Sequence, residues 1–283
     1  MFYLLNKKKG ESSFQAIKKF ARANSIPKIG HTGTLDPLAS GLLLIATDYD
    51  TKLIPYLNNE DKTYEVEIEF GKQTDTYDAE GKIINSSDKL VNQKDLTKIQ
   101  EWFIKQNCQI PPIYSAKKIN GQRSYDLARQ NKSVELKPQK IKVYDAKILD
   151  FDEKQQILKA SLKVSKGTYI RSLVNDLGVF LGTFAYMKNL KRTAISNLDI
   201  SLLNGWDFAK INITHIIGLP IFVPTNKEFN EIKNGKKIKV FNHTNGEHIL
   251  EFQNTILGIV SIENNQLTVK KLFGNRLKEI NIN

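Results

Sequence analysis

One acidic residue stands out because of the chain around it. Residues 28–41 place Asp36 among three glycines, directly before a proline and shortly before the apolar run Leu42–Ala46. Glycine lets the backbone adopt positive φ and pass close to another surface, and Asp-Pro is typical of a turn or of the start of a short helix. A carboxylate in such a loop can act as a nucleophile or stabilise a cation at a glycosidic carbon. Asp36 is therefore the first candidate for chemistry, although Asp-Pro alone indicates only a turn.

Two other segments carry residues that could assist a carboxylate. Tyr64 lies in Lys62–Val66, and Arg171 lies in Gly167–Ser172. Taken alone, Tyr64 is typical of an aromatic core pair between strands, and Arg171 of a surface or salt-bridge residue at the start of a helix. However, an aromatic ring can stack on a nucleic-acid base, and a guanidinium next to a carboxylate stabilises its charged form.

Periodicity predicts the elements that position these residues. Residues 12–21 begin with capping residues and place Phe14, Ile17 and Ala21 on one face with lysines opposite, which indicates an amphipathic helix. Residues 63–70 alternate strictly between apolar and acidic side chains, as in a half-buried antiparallel strand. Helices are also predicted at 94–106 and 172–180, and strands at 142–151 and 157–164. Because these elements mix without a repeating βαβ unit, we expect an α+β fold with a mixed, mostly antiparallel central sheet flanked by helices.

The character of the chain changes after about Gly205. From there short apolar runs alternate with turn dipeptides, Asn234-Gly235, Asn245-Gly246 and Asn264-Asn265. This pattern is typical of a small β-rich module. We therefore predict two domains, 1–211 and 212–283.

The net charge indicates a polyanionic partner. The 283 residues carry a formal charge of +12, with 40% hydrophobic residues and 9% aromatics, as in a folded globular protein. Nucleic acid and an acidic membrane surface are the usual partners of such a chain. The longest apolar run is far shorter than the roughly 20 residues that a membrane span requires.

The remaining composition favours the cytoplasm and gives no sign of a metal or cofactor. Cys108 is the only cysteine, so no intrachain disulfide is possible, which fits a reducing compartment. The apolar Met1–Leu5 precedes the lysines instead of following them, the wrong order for a secretory signal. Four histidines and one cysteine without close spacing argue against structural zinc.

The string Gly30–Gly41 as a whole resembles the signature of the bacterial tRNA pseudouridine synthase B family. Three further segments extend the resemblance: Phe70–Gly81, the stretch from Gln109 to Ala116 with Lys118, Asn120-Gly121 and Tyr125, and Lys9–Phe14, in which the family's proline is absent. In total it covers most of residues 2–195. Residues 234–238 and 257–260 more weakly resemble a reduced PUA-type RNA-binding module.

The resemblance implies a role for each candidate in the catalytic domain. Asp36 would be the catalytic carboxylate, and Arg171 would hold it ionised and oriented. Tyr64 would stack on the target base, and Tyr169 would line the same pocket. Leu190, before Lys191-Arg192, would abut the bound base.

His31 lies five residues before Asp36, and we do not expect it to be the general base. The resemblance implies instead that it assists base flipping by filling or bracing the space that the flipped uridine leaves. Four basic groups, Lys7–Lys9, Lys117-Lys118, Lys191-Arg192 and Lys236-Lys237, would supply phosphate contacts and make binding sensitive to salt.

The implied reaction is the isomerisation of uridine to pseudouridine in the T loop of tRNA, position 55, with no cofactor and no metal. It would proceed by base flipping, aspartate-dependent cleavage of the glycosidic bond and rejoining through C5. A glycosidase would normally use two carboxylates, and the absence of a second one from the Asp36 motif favours isomerisation over hydrolysis. Whether the aspartate attacks the sugar, adds to the base or deprotonates C2′ stays open.

Two alternatives remain at the level of sequence. The first is a guide-RNA-dependent relative with the same core, although this short chain carries no extra tails or assembly segments. The second is an RNA-binding or RNA-folding protein in which catalysis is incidental or lost, against which the set Asp36, Tyr64 and Arg171 argues. The expectation is a cytoplasmic, guide-free enzyme that acts as a monomer on the T arm of tRNA, with a pseudouridine synthase fold in residues 1–211 and a PUA-like module in residues 212–283.

Overall fold

The computed structural model describes residues 1–57, 61–114, 118–119, 122–123, 136–212 and 216–280. The chain divides into two compact units, one of Met1–Thr51 with Asn59–Asn212 and one of Lys52–Asn58 with Ile213–Asn283. No helix in the described ranges combines the length and the apolar character that a membrane crossing requires.

The strands and helices are numbered here in chain order. The strands are β1 (Phe2–Lys7), β2 (Ile29–Thr32), β3 (Ser40–Thr47), β4 (Asp61–Phe70), β5 (Lys72–Thr74), β6 (Ile83–Ser86), β7 (Cys108–Gln109), β8 (Lys118–Ile119), β9 (Gln122–Arg123), β10 (Gln139–Lys140), β11 (Val143–Asp152), β12 (Ile157–Ser165), β13 (Ala185–Ile195), β14 (Leu198–Asp199), β15 (Phe208–Ile211), β16 (Ile221–Phe222), β17 (Ile238–Lys239), β18 (Gly246–Phe252), β19 (Thr255–Glu263) and β20 (Gln266–Leu272). The helices are α1 (Ser13–Ala23), α2 (Leu96–Lys105), α3 (Ile170–Phe180), α4 (Asn226–Lys233) and α5 (Gly274–Glu279), with 3₁₀ turns at Asp48–Tyr56, Gln93–Asp95 and Ile200–Leu203.

The first unit is built on one mixed sheet. Among the described residues it has nine strands, in the order β11-β12-β4-β13-β3-β1-β15, with β2 paired to β3 and β14 to β13. Its pairings are antiparallel except for β13 with β3, where Lys191 faces Ser40 and Arg192 faces Gly41. The predicted α+β class with a mostly antiparallel sheet is confirmed.

The strands β3 and β13 approach unusually closely where their parallel pairing begins. Gly41 has a φ of +100°, and a Cβ on this residue would collide with the backbone carbonyl of Arg192. Only glycine fits both the backbone conformation and the space. The end of the Asp36 loop is therefore attached directly to β13.

One face of the sheet is covered by α1, α2 and α3. On β4 the side chains of Tyr64, Val66, Ile68 and Phe70 are buried, as the alternation predicts. They belong to the same core as Leu173, Val174 and Leu177 of α3. Each such buried aliphatic side chain stabilises the fold by roughly 1.5–3 kcal/mol relative to exposure.

Helix α1 begins after the predicted capping residue and ends at Ala23, two residues beyond the predicted end. Ser12 caps the helix in a capping box with Gln15, and Ile17 and Ala21 are buried. Phe14, predicted on the same apolar face, is instead 63% exposed. It lies at the edge of the apolar stripe, because Ser13 takes the buried position next to it and uses its hydroxyl there.

The second unit is a five-stranded sheet in the order β16-β18-β19-β20-β17, with α4 and α5. Its core includes Phe229 stacked on Phe252, with ring centroids 4.2 Å apart. Asn264 and Asn265 both have positive φ and form the predicted turn between β19 and β20. Asn234-Gly235 instead ends α4, where the N–H of Lys236 donates to the carbonyl of Glu231 at 3.0 Å.

Candidate active site

Asp36 lies in a tight turn between β2 and β3. The N–H of Ala39 donates to its carbonyl at 3.1 Å, so Asp36 and Pro37 occupy the first two positions of a four-residue turn, as Asp-Pro predicts. The side chain of Asp36 is 41% exposed. A substrate can therefore reach its carboxylate.

The turn is held from behind by β1 and by the start of α1. The hydroxyl of Ser13 donates to the carbonyl of Leu35 at 2.9 Å and accepts its N–H at 2.8 Å. The carbonyl of Pro37 accepts hydrogen bonds from the N–H of Gly10 at 2.8 Å and from Nζ of Lys7 at 3.3 Å. Both neighbours of Asp36 are thus fixed through their backbone, which limits the positions that its carboxylate can take.

Arg171 pairs with Asp36, as the resemblance implies. Its Nη2 lies 3.0 Å from Oδ2 of Asp36, and its side chain is only 7% exposed. The same guanidinium donates to the backbone carbonyls of Thr76 and Tyr114 at 3.3 and 3.0 Å. A planar group with five donors can satisfy all these acceptors at once, which a lysine could not do.

A second carboxylate shares this arginine and was missed at the level of sequence. Oδ2 of Asp78 lies 3.4 Å from Nη1 of Arg171, and the Asp78 side chain is 4% exposed. Its other oxygen accepts from the hydroxyl of Thr76 at 2.7 Å and from the N–H of Glu80 at 3.0 Å. At the level of sequence the segment Phe70–Gly81 was noted only for its resemblance to the family. Its Thr-Asp-Thr-x-Asp spacing was the signal that could have identified Asp78 as a site residue.

The charges around Arg171 form a compact network. Burial raises the pKa of Glu80, and the nearby carboxylates of Asp78 and Asp36 raise it further, opposed by Arg171 and Lys7. Burial lowers the pKa of Lys7, while Glu11 and Asp36 oppose this effect. The two cations Arg171 and Lys7 therefore lie among four acids, which they offset only in part.

Helix α3 positions Arg171 and is itself anchored to residues before it in the chain. The buried side chain of Gln109 accepts the N–H of Tyr169 at 2.7 Å and donates to the carbonyl of the same residue at 3.1 Å. The hydroxyl of Ser172 donates to the carbonyl of Ile110 at 2.8 Å. The side chain of Gln109 thus binds the start of α3, where the helix has no capping side chain of its own. The sequence did not predict this role.

A cavity of about 410 Å³ opens at this network. Five of the six predicted site residues line it, and they come from four separate segments of the chain: Asp36, Tyr64, Tyr169 with Arg171, and Leu190. The other lining residues are Gly33, Thr34, Leu35, Lys62, Gln139, Lys166, Gly167, Thr168, Ile170 and Arg192. This volume is typical of a pocket that takes a small ligand or an extruded base.

His31 is not among the described residues that line the cavity. It lies on β2 opposite Ile45, half-buried, with Nδ1 buried and without a hydrogen-bond partner in the described part of the chain. Burial lowers its pKa, Arg192 lowers it further, and the backbone of Gly33 opposes both. These surroundings favour a neutral imidazole.

In two of the basic groups that were expected to supply phosphate contacts, one residue is buried with its cation bound to backbone carbonyls. Lys7 has no exposed surface, and its Nζ donates to the carbonyls of Lys8 and Glu11 at 2.9 and 2.6 Å besides that of Pro37. Arg192 is 1% exposed and donates to the carbonyls of Leu42 and Gly33 at 2.6 and 3.1 Å. The expectation named basic groups and assigned no individual residue; within their groups these two are not available to phosphate, because each cation binds backbone acceptors inside the fold.

Within the described residues no three side chains of the metal-binding types come together. Residues 115–117, Asn120-Gly121 and Tyr125, which carry part of the resemblance, lie outside the described residues, as does the side chain of Lys118.

The fold is that of known pseudouridine synthases. The chain superposes on the crystal structure of a Cbf5-Nop10-Gar1 complex with a TM-score of 0.66 and 17% sequence identity, over 96% of this chain and 84% of that one. A structure of an H/ACA RNP bound to a substrate RNA containing 2′-deoxyuridine gives 0.64 and 16%, again over 96% and 84%. These two likenesses show that the chain has the pseudouridine synthase fold.

Sequence comparison gives the family. Residues 18–170 match the N-terminal domain of TruB family pseudouridylate synthases. The tRNA pseudouridine synthase B of Mycoplasma mobile is 42% identical over 99% of this chain and 97% of its own, and that of Mycoplasmopsis pulmonis is 41% identical over the same shares. That of Fusobacterium nucleatum is 38% identical over 93% and 96%. The chain belongs to the TruB family, and it is therefore a pseudouridine synthase, an isomerase.

Proposed function

We propose that this protein converts uridine to pseudouridine in the T loop of tRNA, at position 55. The observation that carries the proposal is the Asp36–Arg171 pair, 3.0 Å between Oδ2 and Nη2, at the edge of a base-sized cavity. The substrate class follows from the relatives named tRNA pseudouridine synthase B, which are 38–42% identical over nearly the whole chain.

The reaction needs no net change of atoms. The N1–C1′ bond breaks, the base turns, a C5–C1′ bond forms, C5 loses its proton and N1 gains one. The Asp36 carboxylate acts on the nucleoside, as a nucleophile at C1′ or C6 or as the base that takes a proton from C2′. Arg171 orients that carboxylate. Its contacts with Asp78 and with two backbone carbonyls hold the guanidinium in place when the substrate binds.

The remaining lining residues hold the extruded base. Tyr64 stacks on it, and Tyr169 and Leu190 shape the two sides of the pocket, which all three line. An aromatic platform suits a uracil ring, because every base offers a π-face. His31, outside this lining, assists flipping by bracing the space that the base leaves.

The proposal extends to the whole chain. Residues 1–211 form the catalytic domain, and residues 212–283 form a PUA-like module that adds RNA contacts. The protein acts in the cytoplasm as a monomer, and the T arm is selected by shape and by the flipped base, without a guide RNA.

The test uses unmodified tRNA transcript that carries tritium at C5 of uridine. We expect the wild-type protein to release tritium from one T-loop uridine, mapped afterwards, and Asp36→Asn to release none. Asp150→Asn, which removes one exposed carboxylate from β11, is the matched control and keeps full activity.

Three outcomes of this experiment would each refute a different part of the proposal. No release by the wild type, despite tight binding of tRNA by both proteins, would refute the guide-free enzyme. Undiminished release by Asp36→Asn would refute the assignment of the carboxylate. Release from a uridine outside the T loop would refute the position.

A further inference from the structure

The outer face of α1 borders a second, open cavity in the first unit. This α1 groove has a volume of about 700 Å³ and is lined by Gly10, Glu11 and five helical residues, Phe14, Gln15, Lys18, Lys19 and Arg22. All five helical side chains are exposed. None of them takes part in the site that contains Asp36.

Phe14 is unusual on this face. Its ring is 63% exposed, although the capping box fixes the helix start and the adjacent Ser13 is fully buried. The ammonium of Lys18 lies 5.4 Å from the ring centroid, so the ring already carries a cation at its face. An exposed aromatic ring flanked by cations is an arrangement in which a nucleic-acid base can stack while its phosphate is neutralised.

The charge of the groove is positive, because its lining holds three cations and one acid, Glu11. Lys18, Lys19 and Arg22 form no ion pair with any carboxylate in the described residues. The acid in the lining, Glu11, is engaged elsewhere, since its Oε1 accepts the backbone N–H of Lys8 at 3.1 Å. The sequence of α1 contains no acidic residue. Three cations on neighbouring turns therefore face solvent without an ion-pair partner in the part of the chain that the structure describes.

The groove begins at the Asp36 turn. Gly10, at its end, donates its N–H to the carbonyl of Pro37 at 2.8 Å, and the buried Ser13 binds both backbone groups of Leu35. A polyanion lying along α1 would therefore pass directly beside the catalytic loop. When one nucleotide of an RNA strand occupies the cavity, the neighbouring nucleotides must lie on the protein surface next to it. The surface along α1 is positively charged and could receive them.

We propose that the α1 groove binds the sugar-phosphate backbone of the substrate RNA next to the flipped nucleotide. Lys18, Lys19 and Arg22 contact phosphates, and Phe14 stacks against an unpaired base. The inference rests on the proposed function for its RNA substrate, and it assigns to this helix a role in holding that RNA, not in the chemistry. The lining cations match phosphate charge, and the exposed ring distinguishes the site from a purely electrostatic surface.

The experiment measures binding of a fluorescent T-arm stem-loop RNA by the full chain as a function of salt. The test variant combines Lys18→Gln, Lys19→Gln and Arg22→Gln. The matched control combines Lys94→Gln, Lys98→Gln and Lys105→Gln, which removes the same charge from exposed lysines in and beside α2. Glutamine keeps helix propensity in both, and thermal unfolding verifies that both fold.

For the test variant we expect about tenfold or greater loss of affinity and a salt slope of log K that is smaller by roughly 2, because each phosphate contact on a single strand contributes about 0.7. Its single-turnover rate at saturating RNA stays unchanged. Phe14→Ala weakens binding about fivefold or more and leaves the salt slope as in the wild type.

Equal slopes for the test and control variants would overturn the proposal, as would a loss of rate at saturation without a loss of affinity. The comparison of salt slopes measures binding alone and is independent of the proposed reaction. A wild type that binds the stem-loop through the groove but forms no pseudouridine would refute the proposed function and leave the groove intact.

Discussion

Arg171 is the residue on which the geometry of the site depends most. Two of its nitrogens contact two different carboxylates, Nη2 that of Asp36 and Nη1 that of Asp78. The ammonium of a lysine is a single point and cannot occupy both positions. In Arg171→Lys the Asp36 carboxylate therefore loses its fixed orientation.

We expect Arg171→Lys to lower the single-turnover rate by about 10²-fold, the order of loss that follows a displacement of about 1 Å in a reacting group. Affinity for RNA should change little, because the arginine is buried. Lys105→Arg, which keeps the charge of an exposed cation at the end of α2, is the control and should retain the rate. A full rate in Arg171→Lys would show that the fork geometry has no role.

The partners of Arg171 show which contacts can be predicted from residue types and their spacing, and which cannot. The pairing with Asp36 was predicted because both residues lie in strings that resemble family motifs. The contact with Asp78 was not, since it depends on how β5 and the loop after it pass beside α3. The burial of Lys7 and Arg192 could not be predicted either, because a sequence shows a positive charge but not the carbonyl oxygens that the fold places around it.

His31 provides a prediction about pH. Its folded-state pKa lies below 6.5, lowered first by burial and then by Arg192. The unfolded chain therefore binds more protons than the folded one between that lowered pKa and 6.5. The contribution of the neutral ring to stability is complete above pH 6.5 and is lost as the pH falls through this window.

Unfolding by urea between about pH 5 and 8 should show this effect. The free energy of unfolding of the wild type should fall more steeply below pH 6.5 than that of His31→Gln, which has no titrating ring. Parallel curves for the two proteins would contradict the predicted environment of the ring.

At the scale of elements, two adjacent serines at the start of α1 have different structural roles. Ser12 caps the helix by accepting the N–H of Gln15 at 3.2 Å. Ser13 faces inward and binds the N–H and the carbonyl of Leu35, one residue before Asp36. One serine therefore stabilises the helix, and the other attaches it to the Asp36 loop.

Ser13→Ala should lower the free energy of unfolding by about 1–3 kcal/mol, because the buried N–H of Leu35 loses its acceptor. Ser12→Ala should cost about 1 kcal/mol, typical of a lost cap. Only Ser13→Ala should also lower the single-turnover rate, because only that serine holds the loop. Equal rates in the two variants, measured alongside urea unfolding, would refute this division.

Periodicity predicted the elements well and their exact orientation less well. The alternation in β4 gave the buried face correctly, because a strand has only two faces and a shift by one residue exchanges them. In α1 the apolar stripe is broad, and its centre lies on the side of Ser13 and Phe20 instead of Phe14. Hydrophobicity alone does not predict that a serine is buried, since the reason is a hydrogen bond to a loop distant in sequence.

At the scale of the molecule, the formal charge of +12 is divided between cations that serve the fold and cations that face solvent. Lys7 and Arg192 belong to the first kind and are bound to backbone carbonyls. Lys18, Lys19 and Arg22 belong to the second and remain available for counterions. Only the exposed cations can exchange counterions for phosphates, so the salt dependence of RNA binding reports on them alone.

We therefore expect affinity for tRNA to fall by on the order of 10² or more between about 50 and 200 mM salt, as for a protein that contacts five or more phosphates. The single-turnover rate at saturating tRNA should stay nearly constant over the same range, because Asp36, Arg171 and Asp78 interact at contact distance and Arg171 and Asp78 are shielded from solvent. Matched osmolality supplied by a neutral sugar is the control and should leave affinity unchanged. A rate at saturation that falls in parallel with affinity would show that the network around Arg171 is open to screening, contrary to its burial.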